Sequence, residues 1–331
     1  MSRAGSRPRL AWASAVLTAC VVATAVAVAQ PAPVAWPKQI TLVVPFPPGA
    51  SNDTFARALA QKLGPRLGAT IVVDNKPGAG GSIGAGMVAN APPNGATLML
   101  TSSTFATNAA VQRKLPYDPV KSFTPVALVA KGPLVIAVGA ATPYRTLSDL
   151  LDAARADKSK LSYGSAGFGS INHMGIEIMN SLAQVEMTHV PYKGISLAIT
   201  DVIGGHIQFT LATLPSVASQ VTAGHVRALA VSSKERSSLV PDLAPVSDTL
   251  PGYDVEIWWG VLAPPGMPGA MAEALNAEIR TVVDEPDMRA RFAQEGAEPV
   301  ITMTAAQVAE HVRLDIEKWR TIARQRNILA D

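Results

Sequence analysis

Three short segments concentrate the residues able to do chemistry. The first is Val44-Pro45-Phe46-Pro47-Pro48-Gly49-Ala50-Ser51-Asn52-Asp53, a proline-rich turn that runs into a helical stretch. Gly49 lets the backbone turn with its N–H groups exposed, and Asn52 or Asp53 can cap the helix. The free N–H groups and positive dipole end of such a helix favour an anion. Phe46, Pro48, Gly49, Ala50, Ser51, Asn52 and Asp53 are therefore candidate contacts for a carboxylate, although the turn taken alone is equally compatible with a plain βα connection. The second segment is Tyr163-Gly164-Ser165-Ala166-Gly167-Phe168-Gly169-Ser170-Ile171-Asn172-His173. Its glycines and serines ahead of a helix start form another cradle of backbone donors, which adds Ser165, Ala166, Gly167, Gly169 and Ser170 to the candidates. His173, one turn into that helix, is either a packed or capping residue or a ligand contact, with packing the commoner use of a histidine so placed. The third, Thr101-Ser102-Ser103, offers hydroxyls at the carboxyl end of a strand, which complete a carboxylate site or cap the next helix.

Other chemistries fail on spacing. A serine-hydrolase elbow needs G-x-S-x-G, and Tyr163 occupies the first glycine position; no Asp–His pattern accompanies Ser165. The run Pro77–Gly86 lacks G-x-G-x-x-G, because Ile83 and Ala89 stand where a third glycine is required, and it has no G-K-[ST]. It reads as a structural device at a crowded helix start. His173, His189, His206, His225 and His311 show no metal-binding spacing. No catalytic group, metal or cofactor is expected.

The elements that must position these loops alternate. Strands are expected at Ile40–Phe46, Ile71–Val73, Thr97–Thr101, Leu161–Tyr163, Thr188–Pro191, Ile207–Ala212, Val226–Val231 and Trp258–Leu262. Helices are expected at Thr54–Leu67, Ser82–Asn90, Leu147–Ala156, Ile171–Leu182, Leu197–Ile203, Ala270–Asp284 and Ala305–Arg324. A crossover is placed near Pro125–Val138 and a loop at Ser237–Gly252. The alternation predicts an α/β architecture with largely parallel sheets. Two lobes joined by more than one crossover place a cleft at the carboxyl ends of strands, which directs attention to the loops after Phe46, Thr101 and Tyr163.

The N-terminus reads as an export signal. Arg3, Arg7 and Arg9 precede an apolar run from Leu10, and Ala27-Val28-Ala29 before Gln30 resembles a cleavage site, so residues 1–29 are set aside as a signal peptide. A single membrane anchor is the competing reading, disfavoured by the small alanines and the cleavage motif. Leu17-Thr18-Ala19-Cys20 resembles a lipobox, whose processing would leave a lipidated Cys20, but the apolar stretch beyond it argues against that. The whole chain carries 28 Lys+Arg against 25 Asp+Glu; without the three signal arginines it is formally neutral. Neutrality and an aromatic content of 5% give no case for a nucleic-acid partner. Cys20 is the only cysteine, so the mature chain can form no disulfide and has no thiolate.

Taken in order, these loops resemble a known family. Val44–Asp53 is similar to V-P-[FY]-x-P-G-G-x-x-D, and Asn75–Gly84 to N-[KR]-P-G-A-G-G-x-x-G. Ala91-Pro92-Pro93-Asn94-Gly95 resembles A-x-P-D-G, and Tyr163–His173 resembles Y-[GA]-S-x-G-x-G-S-x-x-H. Val190-Pro191-Tyr192-Lys193-Gly194 with Asp201 and Gly204-Gly205 looks like P-Y-[KR]-G…D…G-G. Each motif is weak alone, but five in order resemble the Bug-type solute receptors of tripartite tricarboxylate transporters. The resemblance implies a type II periplasmic-binding fold: residues 36–138 and 255–331 as one lobe, 139–254 as the other, closing on a small carboxylate held by backbone and hydroxyl groups. It implies a monomer that delivers its ligand to membrane permease subunits, and it makes Asp201 a candidate for orienting the ligand or a bridging water, or else a surface aspartate. Ala50 replaces a usual glycine and His206 a common glutamine. A sensory co-receptor for a membrane kinase would share these loops, while a periplasmic serine hydrolase would need a nucleophile–base pair that the sequence does not display. The ligand itself, whether dicarboxylate, amino acid or aromatic acid, is left open.

Overall fold

The computed structural model describes residues 1–2, 34–49, 51–157 and 161–329. Residues 3–29 of the expected signal peptide, with Cys20, and the candidate Ala50 lie outside them. In chain order, β1 (Gln39–Val44) leads into α1 (Ser51–Leu67), β2 (Thr70–Asn75) into α2 (Ser82–Ala89), and β3 (Thr97–Ser102) into α3 (Thr104–Val111). A long strand, β4 (Thr124–Gly139), and α4 (Leu147–Ala156) follow. Three more pairs come next: β5 (Ser162–Ser165) with α5 (Ile171–Ala183), β6 (Thr188–Pro191) with α6 (Ile195–Ile203), and β7 (Phe209–Thr213) with α7 (Leu214–Thr222). The chain then forms β8 (Val226–Val231), β9 (Glu256–Ala263), α8 (Gly269–Val283), α9 (Pro286–Gln294), the short β10 (Glu298–Pro299) and α10 (Ala305–Gln325).

Local chemistry explains the ends of these elements. In α4, Leu147, Leu150, Leu151 and Ala154 recur at helical spacing and are buried, while Thr146 and Asp149 close a reciprocal capping box. In α10 a second box, Thr304 with Gln307, starts a helix whose Val308, Val312, Ile316, Trp319 and Ala323 face the core. Both boxes satisfy amides that would otherwise lack partners.

The strands form two sheets that share β4. In the first, β1 pairs in parallel with β2 and β3, and β9 lies antiparallel between β3 and the Thr124–Pro133 half of β4. In the second, β5 pairs in parallel with β6 and β7, while Leu134–Gly139 of β4 runs antiparallel to β7 and β8. The strand–helix alternation therefore gives parallel strands as expected, and the strands that run through the middle are antiparallel to them. The segment expected to be a crossover is one continuous strand. Lys131-Gly132-Pro133 looks like a break in sequence, yet each of the three pairs across to β9. Gly132 is required because a Cβ there would collide with the Gly296 carbonyl. On either side of this tripeptide β4 is buried on both faces, which is why its sequence is a continuous apolar run.

Ser232 clamps both connections between the sheets. It is fully buried, accepts a hydrogen bond from the Leu134 amide at 2.7 Å, and donates to the Val255 carbonyl at 2.6 Å. Packing fixes the first loop as well. Phe55 of α1 is fully buried and meets Trp259 and Phe292 edge-on, each at 4.9 Å between centroids, which ties α1 to β9 and α9.

Candidate functional site

Two sets of three parallel strands point their carboxyl ends at one cavity of about 500 Å³. The helix after each of these strands contributes a cap or first-turn residue to the lining. Asn52 comes from α1, Gly81 from the start of α2 and Thr104 from α3; Asn172 comes from α5, Gly194 from the start of α6 and Thr213 from the start of α7. Each helix start presents amides with no upstream carbonyl and the positive end of a dipole. Lys193 is the one charged side chain among the described residues of this lining. The arrangement can hold an anion by amides and hydroxyls in a site of the size that takes a small organic molecule.

In the first loop, Phe46 and Asn52 line the cavity. Asn52 is buried, and its Oδ1 has no hydrogen-bond partner. Pro48, Gly49, Ser51 and Asp53 do not line it. The Gly49 amide donates to Asp53 Oδ2 at 3.0 Å, in a backbone of φ +83° that suits glycine, so this donor is engaged within the protein. Ser51 donates to Glu295 at 2.9 Å. Asp53 also accepts from Arg57 and from Asn75 at 3.0 Å each. Burial pushes its carboxyl up, but the bonds from Arg57, Gly49 and Asn75 outweigh this and hold it below the usual carboxylate range. Asp53 thus shapes the loop from behind.

In the second loop, Ala166, Gly169 and Ser170 line the cavity. Ser170 caps α5 by accepting from the His173 amide. Ser165 and Gly167 sit behind this surface, where the Ser165 hydroxyl meets both the amide and the carbonyl of Gly167 at 3.1 Å. His173 is buried and accepts from the Gly169 amide at 3.1 Å. Its ring stacks on His189 at 3.9 Å, and His189 in turn stacks on Tyr163 at 5.1 Å. The pKa of His173 is lowered to about 4 by burial; that of His189 is lowered to about 4 by burial and then by the neighbouring His173. Both rings are therefore neutral at pH 7. Tyr163 donates to Glu177 at 2.7 Å, and Arg326 binds the other oxygen of that carboxylate at 2.9 Å.

Of the hydroxyl strand end, Ser102 lines the cavity, whereas Thr101 and Ser103 are buried beside it. Asp201 does not line it. It accepts from the Tyr192 hydroxyl at 2.6 Å, and burial, then Asp201, push that phenol up to about 12. His206 is exposed in the turn after α6 and away from the lining. Sequence reasoning missed the glycine turn, Lys193-Gly194 and Thr213 as lining residues. Gly80 lines the cavity, and Asn108 of α3, which packs where a Cβ at Gly80 would be and donates to the Ala79 and Gly80 carbonyls, fixes the turn there. The motif P-Y-K-G was the available signal for Lys193.

Residues 55–328 match the model of the tripartite tricarboxylate transporter family receptor, TctC. The chain belongs to this family. Among TctC relatives, a UPF0065 protein in the tcbD-tcbE intergenic region of Pseudomonas sp. strain P51 is 36% identical over 86% of this chain and 85% of its own. Protein BugT of Bordetella pertussis is 30% identical over 87% and 89% respectively. Solved structures agree. Rpa4515 of R. palustris with adipate superposes with a TM-score of 0.77 at 32% identity, covering 87% of this chain and 97% of that one. MatC of Rhodopseudomonas palustris with bound malate gives 0.75 at 31%, covering 87% and 99%. The periplasmic binding protein BugD gives 0.76 at 29%, covering 89% and 100%. The TctC fold is thus that of periplasmic solute-binding proteins, and the family is one of receptors, not enzymes.

Proposed function

We propose that this protein is a periplasmic receptor that captures a small organic carboxylate in the 500 Å³ cavity and passes it to the permease subunits of a tripartite tricarboxylate transporter. The observation that carries this reading is the convergence of helix starts from both sheets on a lining that, among the described residues, contains no carboxylate side chain. Hydrogen bonds from such amides and hydroxyls to a charged group contribute about 1.5–3 kcal/mol each, so a few of them hold a carboxylate without an arginine. The adipate and malate held by the two Rhodopseudomonas proteins support that ligand class.

In this reading the two lobes are residues 36–138 with 255–331 and residues 139–254, each built on one sheet, except that the Leu134–Val138 end of β4 pairs into the second sheet. They close about β4 and the chain around Ser232. Phe46, Asn52 and Ser102 face the ligand from one wall, and Ala166, Gly169 and Ser170 from the other. Gly49, Asp53, Ser165, Gly167, His173 and Asp201 support those walls. Residues 1–29 direct export and are removed, leaving a receptor that works as a monomer. The test is a thermal-shift screen of small organic acids against matched neutral alcohols and amides. Acids alone should raise the melting temperature. Stabilisation by the neutral compounds and not by the acids would refute the proposal.

A further inference from the structure

We infer that the body of the ligand, beyond its carboxylate, is apolar and carries neither an ammonium nor a run of hydroxyls, and that Phe168 selects it. This rests on the carboxylate reading above and deepens it. Most polar side chains of the lining are already engaged within the protein. Asn108 donates to the Ala79 and Gly80 carbonyls and accepts from Gln112, and Asn172 donates to the Leu211 carbonyl. Ser170 donates to the Gly167 carbonyl, and the Thr213 hydroxyl pairs with that of Ser216. Among the described residues of the lining, Asn52, Ser102 and Thr104 are the uncharged polar side chains without a partner. All three stand where the neighbouring strands β1 and β3 run into their helices, so they form one polar patch. With the helix-start amides, that patch serves one carboxylate. Lys193 is exposed to solvent, and its charge needs no partner on the ligand.

The rest of the lining side chains are apolar. Phe46, Pro47 and Pro77 come from one set of loops, Phe168 and Ile195 from the other, and the buried Ile257 from β9. A hydroxyl or ammonium on the ligand body would lose water here and find no partner, least of all an ammonium, since no carboxylate side chain is among the described lining residues. An alkyl chain or aryl ring gains by leaving water. Phe168 is held ready for it. Its ring leans on His173 at 5.1 Å between centroids, and His173 is itself buried and accepts from the Gly169 amide. The support under the ring is therefore fixed, while the ring is half-exposed at the cavity. A ligand of the size of a phenyl ring or a short chain fits a cavity of about 500 Å³.

The experiment uses the mature protein and acids matched in carbon skeleton: phenylacetate with phenylglycine, and hexanoate with norleucine and gluconate. Each is titrated calorimetrically into wild type, Phe168→Ala and Phe168→Leu, with thermal melts to check folding. In at least one series the plain acid should bind wild type at least about tenfold more tightly than its aminated or hydroxylated counterpart. Phe168→Ala should weaken that plain acid by about tenfold and change the polar counterpart less than about twofold, and Phe168→Leu should restore most of the loss. Equal weakening of all the acids, or an unchanged affinity for the plain acid, overturns the inference. So does a wild type that binds norleucine, phenylglycine or gluconate as tightly as the plain acids, in which case the carboxylate reading survives alone. Failure of every acid to bind wild type removes both.

Discussion

The Oγ of Ser165 lies 2.7 Å from Nε2 of His189, the separation of a nucleophile from its base. The serine nevertheless has no solvent exposure, and its hydroxyl also meets the amide and carbonyl of Gly167. The imidazole stacks face to face on His173. A substrate carbonyl could reach the hydroxyl only by displacing the loop that the pair holds in place. The contact pins the cradle in front of it.

Ser165→Ala should therefore lower stability and affinity together. It removes the partner of the Gly167 amide and of His189, which lowers the unfolding free energy by about 1–3 kcal/mol. Thermal melts and calorimetric titration of the same variant check this. Lost affinity with an unmoved melt would mean that the hydroxyl touches the ligand, as the loop sequence alone suggested.

The stacked histidines make stability depend on pH in a defined direction. Burial first, and for His189 also the charge of His173, depresses both to about 4, below the ordinary value near 6.5. The unfolded chain thus binds more protons between those values, so stability is fully present above about pH 6.5 and declines as pH falls toward 4. Melting temperature followed from pH 8 to pH 4 should show this slope. His189→Gln, which keeps a partner for Ser165 without titrating, should flatten it. A slope unchanged in that variant would assign it to other groups.

Asp53→Asn should loosen the first loop without changing the cavity lining. The carboxylate joins Gly49, Arg57 and Asn75, and losing its charge weakens three bonds at once, by roughly 1–3 kcal/mol of stability. Chemical denaturation measures the loss. Faster amide exchange at Gly49, with slower exchange unchanged in α5, would locate it.

Much of this fold was legible because its local signals agree with its tertiary structure. α4 matches its expected bounds, since the capping pair Thr146 and Asp149 brackets a clear apolar stripe. β6 and β8 also match. Three helices escaped notice for physical reasons. α3 is buried on nearly every side and so shows no polar face, whereas α7 and α9 are short and open with Pro215 and Pro286, which read as breaks. The site was half legible. Turn chemistry marked Phe46, Asn52, Ala166, Gly169 and Ser170, but it also marked Pro48, Gly49, Ser51 and Gly167, which lie off the lining, and Lys193 and Thr213 reach the cavity only because the second sheet places β5, β6 and β7 side by side.

Ser232→Ala should destabilise the molecule from a distance. The hydroxyl serves the buried Leu134 amide and the Val255 carbonyl, and an orphaned buried amide alone costs about 1–3 kcal/mol. Because Ser232 does not line the cavity, ligand affinity of the folded protein should change less than about threefold. A large affinity loss at intact fold would show that this crossing governs closure over the ligand.

The most direct measurement is a diffraction structure of the protein with an acid that raises its melting temperature. The account predicts a carboxylate in the cavity between Phe46–Asn52 and Ala166–Asn172, within hydrogen-bond distance of first-turn amides of α5. The molecule offers a natural contrast in a second cavity of about 480 Å³ around Lys131, Lys234, Arg236 and Glu256, where Lys131 and Glu256 pair at 3.0 Å. An acid bound there, with the cavity at the helix starts empty, would contradict the account.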